Sequence, residues 1–145
     1  MRVLVQRVDE AFIRIGGKIH AASGKGLLLF VGFKNGDTED MIPYFADKII
    51  NLRIFEDAEG KMNRSVKEIN GEISVVSQFT LYADTNRGRR PGFSDSAAPV
   101  AAVPLYNFFI NNLKNSGLKI AEGVFGAHME IGLINNGPAT FLIEK

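Results

Sequence analysis

"KGLLLFVGF", Lys25–Phe33, is the stretch on which the fold turns. Its apolar residues run on with hardly a polar break, and Leu27–Val31 has none. A strand with one wet face alternates, so a short continuous run predicts a strand covered on both faces. The following segment changes period. Ile42, Phe45, Ile49 and Leu52 recur at three- and four-residue steps, which is one face of a helix. Asp37, Thr38 and Asp40 are candidate N-caps, and Pro43 fits only in the first turn.

Working outward, Val3, Val5 and Val8 mark a first strand and Phe12–Ile15 a second, with Asp9-Glu10 read as the turn between them. Gly16-Gly17 in "IGGKIHAASG" is a two-residue hairpin signal. "RIFEDAEGKMN" reads as a strand and a turn through Glu59-Gly60. "EISVVSQFTLY", Glu72–Tyr82, alternates throughout: Ile73, Val75, Phe79 and Leu81 on one face, Ser74, Val76, Gln78 and Thr80 on the other. Leu105, Phe108, Phe109 and Leu113 mark a second helix ending at "NSG", where Gly117 suits a C-cap. Pro99 can open that helix, whereas Pro104 sits awkwardly inside it. Three strands are expected to finish the chain, around Lys119–Glu122, Ala127–Ile134 and Ala139–Ile143. The sum is one mixed α/β domain, residues 1–145, with about eight strands and two helices.

Composition agrees. Of 145 residues, 46% are hydrophobic and 23% charged, which predicts a packed core rather than disorder. There are no cysteines, hence no disulfide, thiolate nucleophile or cysteine metal site. The opening "MRVLVQRVDE" lacks the apolar core of a signal peptide, and "LLLFV" is too short to span a bilayer. A cytoplasmic protein with no membrane partner is the expectation. A net charge of +1 disfavours wrapping a long nucleic-acid backbone.

Common site patterns are missing. The chain has no G-x-S-x-G elbow, no H-E-x-x-H and no G-x-x-x-x-G-K-[ST] loop. His20 and His128 fall on separate expected strands with no carboxylate motif beside them, and no metal or cofactor is implied. Two stretches remain. In Ser77-Gln78-Phe79-Thr80, strand alternation points the Gln78 amide and the Thr80 hydroxyl the same way. Spacing alone leaves open that both simply face solvent. "NNGPAT", Asn135–Thr140, puts a Gly-Pro pair between two apolar runs. On local grounds it reads as an ordinary turn; alternatively it presents bare backbone carbonyls at a fixed angle.

Taken together, the fragments "VLVQRV", "RIFEDAEGKMN", "VVSQFTLYADT", "RGRRPGFS" and "LINNGPATF", in that order and spacing, resemble the D-aminoacyl-tRNA deacylase family over the whole chain. The "SQFTL" segment favours its D-specific branch. The resemblance implies a fold of layered mixed β-sheets with two main helices packed on one side, and a homodimer with active sites at the subunit interface. It implies hydrolysis of the ester joining a D-amino acid, or glycine, to the acceptor end of tRNA. Ser77, Gln78, Phe79 and Thr80 would form the catalytic segment. Gly137 and Pro138, flanked by Asn135 and Thr140, would be a cis-proline pair inserted into the partner's site to exclude L-amino acids. The terminal 2′-hydroxyl of the tRNA would assist the attack. Arg87, Arg89 and Arg90, in a basic loop, are candidate tRNA contacts. Alanine at position 139, where the family more often carries valine or a larger residue, is a departure beside the Gly-Pro pair. Two alternatives stand beside this: a non-catalytic tRNA- or nucleotide-binding dimer, and an esterase for small D-amino acid esters.

Overall fold

A computed structural model describes residues 1–86 and 88–145. The chain forms β1 (Arg2–Ile15), β2 (Lys18–Ser23), β3 (Gly26–Gly32), α1 (Ile42–Asn51), β4 (Phe55–Glu56), β5 (Met62–Arg64), β6 (Glu72–Ser77), α2 (Pro99–Lys114), β7 (Ile120–Glu122) and β8 (Glu130–Glu144). The main sheet runs β2-β1-β3-β6-β7, and β8 also pairs with β1. β3, β6 and β7 are mutually parallel, whereas β1 is antiparallel to β2, β3 and β8. The sheet is therefore mixed.

β3 sits at its centre and is covered on both faces, as its sequence predicts. Leu27, Leu29 and Val31 face the larger core, shared with Phe45 and Ile49 of α1 and Leu105, Phe109 and Leu113 of α2. Leu28 faces a second core with Val8, Ala11, Ile13 and Val76, closed by Ile131 and Leu133 of β8. One face thus carries helices, and the other is covered by the sheet's own long strands folding over it. Each fully buried Leu or Ile contributes roughly 1.5–3 kcal/mol, so this double seam dominates the fold's stability.

Several expectations need correction. β1 is one strand, not two. Asp9 and Glu10 are exposed, and the ladder to β8 slips between Val8 and Glu10, so the charged pair marks a bulge. The last two expected strands are likewise one strand, β8, running through the Gly-Pro pair because β1 supports it on both sides of the interruption. It starts at Glu130, so His128 lies in the preceding connection and not on a strand. The expected strand over 72–82 ends at Ser77. None of Asp37, Thr38 or Asp40 caps α1: a 3₁₀ turn, Glu39–Met41, precedes it and Met41 takes the cap position. Pro43 does lie in its first turn.

α2 opens at Pro99 and contains Pro104. An interior proline costs about 3 kcal/mol through its missing donor and ring clash. Burial of Leu105, Tyr106, Phe109, Ile110 and Leu113 on the same helix outweighs that cost. Among the described residues no helix is long and apolar enough to cross a membrane.

Candidate active site

β6 leaves the sheet at Ser77. The Gln78 amide donates the last ladder bond, to the Val31 carbonyl at 2.7 Å, and the chain then turns into a 3₁₀ segment, Phe79–Tyr82. Gly32 makes this possible. A Cβ there would stand 2.8 Å from the Gln78 carbonyl oxygen and 3.2 Å from the Leu81 Cβ, so only glycine lets the turn close against β3. The far end is held by Arg2, which donates to the Leu81 carbonyl at 2.8 Å and lies 4.6 Å from the Tyr82 ring centre. The alternation expected for "FTLY" does not carry through: Phe79 is exposed, and Tyr82, which a strand would place on the opposite face, is the residue the turn buries.

That turn brings Gln78 and Thr80 together by a route the sequence did not suggest. Gln78 Nε2 donates to Thr80 Oγ1 at 2.5 Å. An amide nitrogen is a donor, so it orients the threonine hydroxyl without activating it. Among the described residues, the Phe79 and Thr80 amides at the start of the turn donate to no protein acceptor. They are free to meet a developing oxyanion.

Ser77, Gln78 and Phe79 form part of the wall of a cleft of about 520 Å³, together with Ala102, Phe125 and Met129. Thr80 is exposed and stands outside this wall. Phe125 packs edge-on against Tyr106, ring centres 5.7 Å apart, and the Tyr106 hydroxyl donates to the Val75 carbonyl at 3.1 Å. Burial pushes that phenol's pKa well up, so it acts as a strut between α2 and β6 and not as an acid. Met129 crowds Gly123, where a Cβ would approach its Sδ to 2.8 Å. Among the described residues the cleft wall has no carboxylate, lysine or arginine, and His128 is its single titratable side chain.

Asn135–Thr140 lies elsewhere. Val8 pairs with Asn135 and Gln6 with Thr140, so Asn136, Gly137, Pro138 and Ala139 stand opposite Arg7 alone. The extra chain bulges outward. Gly137 and Pro138 are exposed, while Ala139 is buried and anchors the bulge. The Gly137–Pro138 peptide is cis, and Gly137 has φ +129°. Behind the bulge lies Arg7, only 4% exposed, whose Nε donates to the Asn136 carbonyl at 2.9 Å and Nη1 to the Ile54 carbonyl at 2.6 Å. A Cβ on Gly137 would stand 2.9 Å from Arg7 Nη2 and 3.0 Å from the Ala139 nitrogen. Asn136 Nδ2 also donates to Asp9 Oδ1 at 2.6 Å, tying this bulge to the one in β1.

Within one chain the two stretches do not meet: no residue of Asn135–Thr140 lines the cleft that holds Ser77–Phe79. Arg89 and Arg90 are exposed in a loop whose base is closed by a reciprocal Asp84–Gly92 backbone pair at 2.8 and 2.9 Å. Arg87 lies outside the described residues.

Sequence reasoning missed Arg7, Ala102, Phe125 and Met129. Arg7 had a signal: it keeps step with Val3 and Val5, which places a charge on the buried face. Ala102 falls one turn before Leu105 and Tyr106 on the buried stripe of α2. Phe125 stands between Gly123 and Gly126, an aromatic in a connection where solubility alone gives no reason for one. Met129 carried no signal of its own.

Comparison with known proteins places these features in context. The family model described as D-Tyr-tRNA(Tyr) deacylase matches residues 4–144. A D-aminoacyl-tRNA deacylase of Halothermothrix orenii is 54% identical over 145 residues, covering 100% of this chain and 97% of that protein. One from Thermotoga petrophila is 51% identical with the same coverage. Among solved structures, a c-Myc DNA unwinding element binding protein superposes with TM-score 0.93 at 36% identity, covering 100% of this chain and 99% of the other. A probable eukaryotic D-amino acid tRNA deacylase gives TM-score 0.84 at 18% identity, covering 98% of each, and so shares the fold.

Proposed function

This chain belongs to the D-Tyr-tRNA(Tyr) deacylase family, and from that premise we propose how its two separated stretches make one stereoselective site. The activity is that of a D-aminoacyl-tRNA deacylase: a hydrolase in translation proofreading that splits the D-aminoacyl ester into free D-amino acid and tRNA. The site works in a homodimer. Gly137 and Pro138 of one subunit enter the Ser77–Phe79 cleft of the other, and the reaction proceeds in the cytoplasm on the acceptor end of tRNA.

D- and L-aminoacyl esters differ only in where the side chain and hydrogen sit on the α-carbon. A site that accepts many side chains cannot discriminate by gripping them. It has to obstruct the direction an L side chain would take, which is selection by repulsion. Main chain suits this task because it cannot swing aside. Gly137-Pro138 projects on an exposed bulge with a buried arginine bracing it from behind, and this observation carries the reading. Glycine has no side chain to obstruct, so glycyl-tRNA is cleaved too.

For the chemistry, the ester oxygen turns toward the Phe79 and Thr80 amides as it gains charge. Among the described residues no carboxylate lines the cleft to serve as base, and the 2′-hydroxyl of the terminal adenosine assists the attack of water. Hydrolysis of matched D- and L-aminoacyl-tRNAs, with a 2′-deoxy terminal adenosine as control, tests the reading. Cleavage of the D ester alone, lost on the deoxy substrate, supports it. Full cleavage of the deoxy substrate moves catalysis onto the protein. Binding without cleavage of either hand favours a nucleic-acid-binding module, in keeping with the DNA-binding name of the 36%-identical solved structure.

A further inference from the structure

The rings of one aromatic pair take no part in the chemistry above, although the Phe79 amide does. Phe79 and Phe93 are both markedly exposed, 54% and 43%, yet their rings meet edge-to-face with centres 5.1 Å apart. Two large apolar side chains that pack on each other and still face outward form a platform with an unfilled face. The platform is firmly mounted. Ser96 Oγ donates to the Phe79 carbonyl at 3.0 Å and its amide to the Phe93 carbonyl at 3.2 Å. Asn35 Nδ2 donates to the Ser94 carbonyl at 2.9 Å, and its amide to the Asp95 carbonyl at 3.0 Å.

Its position is what gives it meaning. Phe79 is on the cleft wall, so Phe93 is one ring further out. In the other direction Phe93 directly follows the Asp84–Gly92 closure of the loop that carries Arg89 and Arg90. A single strand whose 3′ nucleotide enters the cleft and which leaves it on the Phe79 side passes over this platform toward the loop of Arg89 and Arg90. Stacking platforms beside basic groups are how proteins hold unpaired nucleic acid.

We infer that Phe93 stacks on the base of the nucleotide preceding the terminal adenosine, a subsite outside the cleft that separates an RNA-borne ester from a free one. This rests on the deacylase reading and adds the RNA contact to it. Arg89 and Arg90 take the phosphate that joins the two nucleotides. The occupant is RNA and not a second protein chain, because Phe93 follows by three residues a pair of exposed arginines, Arg89 and Arg90, that have no carboxylate partner among the described residues.

The test compares two non-hydrolysable probes, the D-phenylalanyl amide of 3′-amino-3′-deoxyadenosine alone and the same group ending a cytidylyl-cytidylyl trinucleotide. Wild type is expected to hold the trinucleotide more tightly, by on the order of 5- to 100-fold. Phe93→Ala should erase most of that advantage while shifting the mononucleotide affinity no more than about twofold, and Phe93→Tyr should restore it. Equal affinity of wild type for both probes overturns the inference, as does an equal loss on both probes in Phe93→Ala, which makes Phe93 a mere prop for Phe79. A change in dimer dissociation with the trinucleotide advantage intact overturns it in favour of a second protein chain. Wild type that fails to cleave D-aminoacyl-tRNA defeats the deacylase reading itself. Cleavage by wild type with no trinucleotide advantage defeats only this subsite.

Discussion

The Ser77–Thr80 segment and the Asn135–Thr140 segment differ in almost every physical respect. The first lines a concave cleft with Ser77, Gln78 and Phe79 and carries, where the strand turns away from its sheet, amides with no protein acceptor among the described residues. The second is convex and exposed, and at its tip it has only a glycine and a proline. One is shaped by a neighbour's missing side chain, Gly32. The other is shaped by a neighbour's large one, Arg7, which fills the space behind the bulge. In the proposed dimer, the hollow of one copy and the projection of the other serve as complementary halves of one site.

The largest expected effect follows from disturbing the projection. Gly137→Ala places a Cβ against Arg7 and Ala139 at a φ unsuited to L-residues, so the carbonyls shift. D-over-L discrimination, measured as the ratio of kcat/KM values, should fall on the order of 100-fold. Unchanged discrimination would remove the steric role of this pair. Disturbing the hollow comes next. Gly32→Ala forces the Gln78 carbonyl away from β3 and should lower kcat about 10- to 100-fold, with roughly 1–3 kcal/mol lost from stability in urea unfolding. Here D-over-L discrimination should hold, because the projection is untouched. A fall in discrimination of the same size as for Gly137→Ala would erase the division of labour between the segments.

Smaller effects sharpen the chemistry. Thr80→Ala and His128→Ala should each keep turnover within about tenfold of wild type, since one lies outside the cleft wall and the other at an exposed position on it. A loss of roughly 10²–10⁴ in either would identify a protein nucleophile or base and displace the 2′-hydroxyl. Smallest of all, replacing Arg89 and Arg90 by Gln should reduce the slope of log affinity against log salt for tRNA by about 2. An unchanged slope would return that loop to ordinary solvated surface.

Much of the architecture was legible in the sequence, and the exceptions share a cause. The run over Lys25–Phe33 revealed a doubly covered strand, and helical spacing located both helices, because burial leaves a periodic trace. Asp9-Glu10 and Gly137-Pro138 misled as turns because polar and breaker residues look alike in a turn and in a bulge. Only the partner strand distinguishes the two, and β8 supports β1 across both. The alternating "SQFTLY" misled in the opposite sense. A 3₁₀ turn can bury Tyr82 as well as a strand can, and the deciding residue, Gly32, lies far upstream in the chain. The family resemblance supplied the proposed site segments but not the contacts that support them. Arg7, Phe125 and Met129 matter through contacts that local sequence does not encode.

The most direct measurement mixes two variants. A cleft-defective chain, Gly32→Ala with Gln78→Ala and Phe79→Ala, displaces the turn that carries the amide donors and retains an intact projection. A Gly137→Ala chain retains an intact cleft. With the first in large excess, nearly every Gly137→Ala subunit pairs with a cleft-defective partner. If the projection acts across the dimer, L-aminoacyl-tRNA cleavage should be suppressed toward the wild-type level while D-aminoacyl-tRNA cleavage persists. An L-to-D ratio that stays where Gly137→Ala alone sets it, whatever the partner, would contradict the account.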